Sequence, residues 1–132
     1  LFLLLADHGH KNAIYYPIDE HPDFFSCLKY PFYSLEGRAA LFCVKEGKEH
    51  KFKSCYEKYY KEHFYCFSKE EIDKNNLFGY GKHAKRYDEV LNGFLLVSKD
   101  SSCFLNIRGI RLLSHHAGST KEEREINLSI LN

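Results

Sequence analysis

The 132-residue chain contains no methionine and no tryptophan, and only three prolines. It has no apolar run near the 18 residues that a membrane-spanning helix needs, so no membrane span is expected. Its formal net charge is only +1, which argues against a nucleic-acid binder driven by bulk phosphate attraction. Heptads sustained over several turns, collagen-type repeats and low-complexity segments are all missing, which excludes the coiled-coil, fibrous and disordered classes. No pair of its five cysteines stands at C-x-x-C spacing, so zinc ribbons and thioredoxin-type redox motifs have no support.

What is present suits one small globular domain. The chain is 44% apolar and 16% aromatic, enough to build a core. It opens Leu1-Phe2-Leu3-Leu4-Leu5-Ala6 and turns polar at Asp7. A short apolar run ending in Ala before a polar edge matches the tail of a secretory signal peptide. Residues 1–6 are therefore expected to be a leader remnant, and residues 7–132 a single domain. In a secreted chain, Cys27, Cys43, Cys55, Cys66 and Cys103 are disulfide candidates of open connectivity, two bridges and one odd thiol. Asn127-Leu128-Ser129 is a glycosylation sequon that matters only in that compartment.

Local patterning predicts an α+β fold: a small antiparallel sheet with two or three short helices, stabilised by disulfides. A strand is expected at Ala13–Tyr16. The run Ala39–Val44 and residues 50–53 flank a Gly47 turn and predict a β-hairpin. Tyr56, Tyr59, Tyr60 and His63 recur at helical spacing and predict an amphipathic helix over 55–64. Ser68-Lys69-Glu70-Glu71 is a capping box, with Phe67 and Ile72 at the staple positions; a helix starting at Lys69 and ending near Gly79 or Gly81 follows. Another helix is expected over 82–92. Residues 94–98 and 103–107 predict a second hairpin, extended by residues 108–113, and Ser119-Thr120-Lys121-Glu122-Glu123 can cap a short final helix.

Chemistry-bearing residues are scattered. Asp7-His8-x-His10 and His115-His116 each offer two imidazoles, but neither pair has a recognised ligand spacing, so no metal or other cofactor is expected. His50 with Cys55, and His63 with Cys66, are the Cys–His pairs to weigh for nucleophilic catalysis. Metal-free RNA hydrolysis needs two proton-transfer groups and a cation; Glu36, Arg38 and His50 are the candidates for that work. Lys45, Lys48, Lys51 and Lys53 interleave with Phe52, Tyr56, Tyr59 and Tyr60, cations beside rings that suit single-stranded RNA or a protein partner.

Two fragments carry a family resemblance. Phe64-Tyr65-Cys66-Phe67-Ser68-Lys69-Glu70-Glu71-Ile72 resembles the aromatic–x–Cys signature and capped helix of the RNase-like secreted effectors of powdery mildew fungi. Tyr30-Pro31-Phe32, Gly37-Arg38 and Lys51-Phe52-Lys53-Ser54-Cys55 resemble that family's later Tyr-Pro segment, following strand and closing cysteine. The fragments stand in reverse order here, and no full Glu/His/Arg/His set maps onto the chain. The resemblance implies a helix packed on an antiparallel sheet, secretion, delivery into or around a host cell, and loss of catalysis. The expected function is accordingly a secreted, non-enzymatic protein acting on a host protein or RNA. The alternatives are a metal-free secreted ribonuclease and an intracellular interaction domain with reduced cysteines.

Overall fold

A computed structural model describes residues 1–131, so residue 132 of the expected 7–132 domain lies outside the described residues. The strands are β1 (Phe2–Leu5), β2 (Lys11–Asn12), β3 (Ile14–Pro17), β4 (Ser34–Glu36), β5 (Ala39–Phe42), β6 (Phe64–Ser68), β7 (Phe94–Ser98), β8 (Ser102–Leu105), β9 (Ser114–His115) and β10 (Leu128–Leu131). The helices are α1 (Pro22–Phe25), α2 (Glu49–Tyr59), α3 (Lys69–Lys74), α4 (Tyr87–Val90) and α5 (Lys121–Arg124). The main sheet is antiparallel, in the order β4-β5-β7-β6; three two-stranded pairs, β1-β10, β2-β9 and the parallel β3-β8, surround it. The α+β expectation holds at this level.

Side-chain alternation explains why Ala39–Phe42 is apolar throughout. Successive strand residues face opposite sides, and both sides of this sheet are covered. Ala40 and Phe42, with Phe94 and Leu96 of β7, join the larger core of Phe24, Phe52, Tyr60, Phe64 and Phe104. Leu41 and Leu95 face the other way, onto Ile72 and Leu91. The larger core is a ring cluster: Phe104 lies 4.3 Å from Phe64 and 5.0 Å from Phe42, centroid to centroid. Gly93, at the entry to β7, lets two backbones meet, since a Cβ there would lie 2.1 Å from the Phe42 carbonyl oxygen.

The capping box forms as expected. Ser68 Oγ accepts from the Glu71 N–H at 3.3 Å, and Glu71 accepts from the Ser68 N–H at 2.8 Å. The helix is short, however, because Asn76 takes a left-handed φ of 49° and ends it. The expected 82–92 helix reduces to α4. Neither expected hairpin forms. Residues 50–53 lie in α2, which starts six residues before the expected helix, because Phe52 and Cys55 extend its buried face. β5 instead pairs with β4. β7 pairs with β5 and β6, and β8 turns away to run parallel to β3. Asp100 makes that turn, accepting the Ser102 N–H at 2.7 Å.

All five cysteines are free thiols, so the expected disulfide stabilisation is corrected: ring packing holds the core instead. Burial acts on three of them. It pushes the Cys66 thiol up to about 12 and Cys103 to about 11, and raises Cys55 as well. Burial thus disfavours the thiolate that the Cys55 and Cys66 nucleophile pairings would need.

Two predictions arise from the packing. Tyr60 is fully buried, and its hydroxyl is without a hydrogen-bond partner. Tyr60→Phe removes an unsatisfied polar group and is expected to raise folding stability by about 1 kcal/mol; a loss in urea titration would contradict this. The ribbon β1-β10 is apolar on both faces and exposed, with Leu3 opposite Ile130. Exposed apolar edges template association. Sedimentation velocity should show self-association of the chain, reduced by the cross-strand pair Leu3→Glu/Ile130→Lys; equal sedimentation of both proteins would contradict it. Among the described residues no helix is long and apolar enough to cross a membrane.

Candidate functional site

The β2-β9 pairing draws the two histidine segments together from opposite ends of the chain. Lys11 stands opposite His115, and Asn12 opposite Ser114. His8 and His10 precede β2, while His116 follows His115 out of β9. The result is a three-imidazole cluster. His8 and His116 stack at 3.9 Å between ring centroids and 13° between planes. His10 lies 5.2 Å from His8 and 5.6 Å from His116.

Neighbouring groups orient these rings. His8 Nδ1 is 2.9 Å from the Gly9 carbonyl oxygen, and its Nε2 is 3.6 Å from Asp7 Oδ2. His10 Nδ1 lies 3.3 Å from Ser114 Oγ, across 104 residues of sequence. His115 turns to the other side, edge-on to Tyr15. Burial holds its pKa below the ordinary value, against the attraction of Glu36 and with the repulsion of His116, Arg38 and His10. Ala117, directly after the cluster, has a φ of 75°. That left-handed conformation costs a non-glycine residue about 1–2 kcal/mol, which tertiary contacts must offset.

The cluster has the right chemistry for a divalent transition metal, which imidazole nitrogens bind well. Imidazoles sharing a tetrahedral zinc at about 2.0–2.1 Å hold their ring centres roughly 5 Å apart. The two separations involving His10 match that spacing. The stacked His8–His116 pair is closer, and among the described residues no three His, Cys, Asp or Glu side chains converge as a finished cage. Turning one ring out of the stack is the adjustment that binding requires.

The catalytic trio expected from sequence does not assemble. Arg38 is fully buried, and its guanidinium is bound bidentately to Glu123, Nε–Oε1 at 2.5 Å and Nη2–Oε2 at 2.7 Å. Its remaining donors go to the carbonyls of Asp100 and Ser102. It is a structural cation, closed to substrate. Glu36 is exposed on β4, and His50 is exposed in the first turn of α2; neither shares a hydrogen bond or ion pair with the other or with Arg38 among the described residues.

The expected binding segment divides in the same way. Phe52 and Tyr60 are core residues with no exposed surface, so neither is open to stack on a base. Tyr56 donates to the Phe64 carbonyl at 2.9 Å, and Tyr59 donates to Asp23 at 2.8 Å while stacking on His21. Lys45 and Lys51 reach Ser26, Lys53 lies over the Phe94 ring, and Lys48 precedes α2, exposed. His63 pairs with Asp100 at 2.7 Å rather than with Cys66. The Arg38–Glu123 pair and the meeting of the two histidine dyads were not visible in the sequence. The Thr120–Glu123 spacing was the one local signal that pointed at Glu123.

No protein-family model matches the chain, and no curated protein is similar to it. Its fold is similar to part of a solved murine protein. Murine ectonucleotide pyrophosphatase/phosphodiesterase 5 matches with a TM-score of 0.60 and 20% identity, over 96% of this chain and 32% of that one. An inactive variant of the same enzyme in complex with AMP matches with a TM-score of 0.59 at 20% identity. The chain thus spans about a third of the murine protein's length. At this identity the likeness is one of fold.

Proposed function

We propose that this chain binds one divalent transition-metal ion through His8, His10 and His116, and that the ion serves phosphoester chemistry. The observation that carries the reading is the cluster itself: two dyads at opposite ends of the sequence place three imidazoles within 5.6 Å of one another. The substrate class, a nucleotide phosphoester, rests on the fold likeness to a phosphodiesterase alone. Asp7, beside His8, is the carboxylate nearest to hand as a further ligand. A bound divalent ion polarises phosphoryl oxygens and lowers the pKa of its water. The chain's own part is to bring the three imidazoles side by side, with His8 Nδ1 2.9 Å from the Gly9 carbonyl oxygen and His10 Nδ1 3.3 Å from Ser114 Oγ.

Calorimetric titration with Zn²⁺ tests this. One site is expected, with His8→Ala and His116→Ala each weakening it at least about tenfold; His50→Ala and His83→Ala leave it unchanged. In a second titration, AMP should bind the zinc-loaded chain and not the EDTA-treated one. Absence of a site, or a site indifferent to His8 and His116, contradicts the metal reading. Zinc binding without AMP binding removes the substrate class.

A second reading, a secreted non-catalytic protein that binds a host partner as the effector resemblance implies, draws on a different face. Tyr30 and Phe32 are exposed and stack at 5.6 Å, with Lys29 over the Tyr30 ring. Tyr30 lines a cleft of about 520 Å³ together with Lys29, Lys45 and Glu49. Exposed rings beside cations suit unpaired bases. Fluorescence anisotropy with single-stranded RNA should show binding that Phe32→Ala and Lys45→Ala weaken; no binding rules RNA out.

A further inference from the structure

We infer that the buried Arg38–Glu123 pair is a positioning device that holds the two histidine segments in register; the inference rests on the metal reading for its consequence, not for its geometry. Glu123 sits in α5, which follows the His116 loop. Its carboxylate accepts from the Gly118 N–H at 2.8 Å, the Thr120 N–H at 3.3 Å and the Thr120 hydroxyl at 2.6 Å. It thereby grips the loop two residues beyond His116. Its main-chain carbonyl accepts from the Gly9 N–H at 3.0 Å, midway between His8 and His10. One residue therefore touches both segments, through its side chain and its backbone.

Contacts around it leave little freedom. A Cβ at Gly9 would lie 1.8 Å from the Glu122 carbonyl oxygen, so the first segment lies directly on α5. Lys11 pairs with Glu122. Ser119 donates twice to the Ser98 carbonyl, at 2.9 Å from its N–H and 2.7 Å from its hydroxyl, which anchors the loop to β7. Arg38, in the β4–β5 turn, fixes the Glu123 carboxylate while reaching the carbonyls of Asp100 and Ser102. The main sheet thus reaches the cluster by two routes, the Arg38 guanidinium on Glu123 and the Ser98 carbonyl on Ser119. A well-packed apolar pair in this volume would be at least as stabilising, but it could not accept the Gly118 and Thr120 N–H groups.

Three variants separate positioning from mere stability: Glu123→Gln, Arg38→Lys, and the apolar double Arg38→Met/Glu123→Leu. Each is measured for thermal unfolding, Zn²⁺ affinity and imidazole proton shifts of His8 and His116. The double variant is expected to stay folded while losing about 10–100-fold in zinc affinity and the ring-current shifts of the stacked pair. Arg38→Lys, which keeps the charge but not the fork, should fall between it and the parent chain. A folded double variant with unchanged zinc affinity and unchanged imidazole shifts would overturn the inference. If the parent chain binds no zinc, the metal reading fails alone, and the shifts still decide whether Arg38 and Glu123 set the stack.

Discussion

Arg38→Met is expected to lower folding stability by about 3–5 kcal/mol. The substitution leaves the Glu123 carboxylate buried, 4% exposed, without its cation. It also strips donors from the carbonyls of Asp100 and Ser102. Urea denaturation of Arg38→Met, Glu123→Leu and the double variant forms a cycle. Each single change is expected to cost more than the double one, because the double leaves no unpaired charge. The pH dependence has a defined sign. Burial raises the Glu123 pKa, but hydrogen bonds from Arg38, Thr120 and the Gly118 N–H outweigh it and bring the carboxyl down to about 2. A group depressed in the folded state contributes fully above its ordinary value near 4.5, and that contribution is lost as pH falls from there through about 2. The parent chain should lose stability over that window, and Glu123→Leu should lose less; parallel curves would contradict the pair's role.

Phe52→Ala is expected to cost about 3–5 kcal/mol, or roughly 10–20 °C in midpoint for a chain of this size. The ring is fully buried and lies 5.0 Å from both Phe24 and Phe94, centroid to centroid. Its loss opens a cavity between α1, α2 and β7 that neighbouring rings cannot fill without leaving their rotamers. The same variant distinguishes core from contact. If Phe52 stacked on RNA, its truncation would weaken binding and spare stability. The structure requires the reverse: circular dichroism melts shift, and any RNA affinity of the folded fraction is unchanged.

Local signals were legible and long-range ones were not. The Ser68–Glu71 capping box, the strand at Ala39–Phe42 and the strand at Phe94–Ser98 depend on residues a few positions apart, and the sequence showed them. Pairing depends on tertiary competition. β5 was expected to pair with residues 50–53, but burial of Phe52 places that segment in α2, and β4 pairs with β5 instead. The parallel β3-β8 pair joins residues that no local pattern links. The site followed the same rule. Both histidine dyads stood out as residues, but neither has ligand spacing alone. Only the β2-β9 register makes them one cluster. Arg38 drew attention as a cation near Glu36, yet its partner lay 85 residues away in Glu123.

The most direct test of the metal centre is an anomalous difference map at the zinc edge, from crystals of the chain grown with equimolar Zn²⁺. The account predicts one strong peak about 2.0–2.1 Å from imidazole nitrogens of His8, His10 and His116, with the His8–His116 stack opened. A map with no peak among these three rings, or with the stack intact and zinc bound elsewhere, would contradict it.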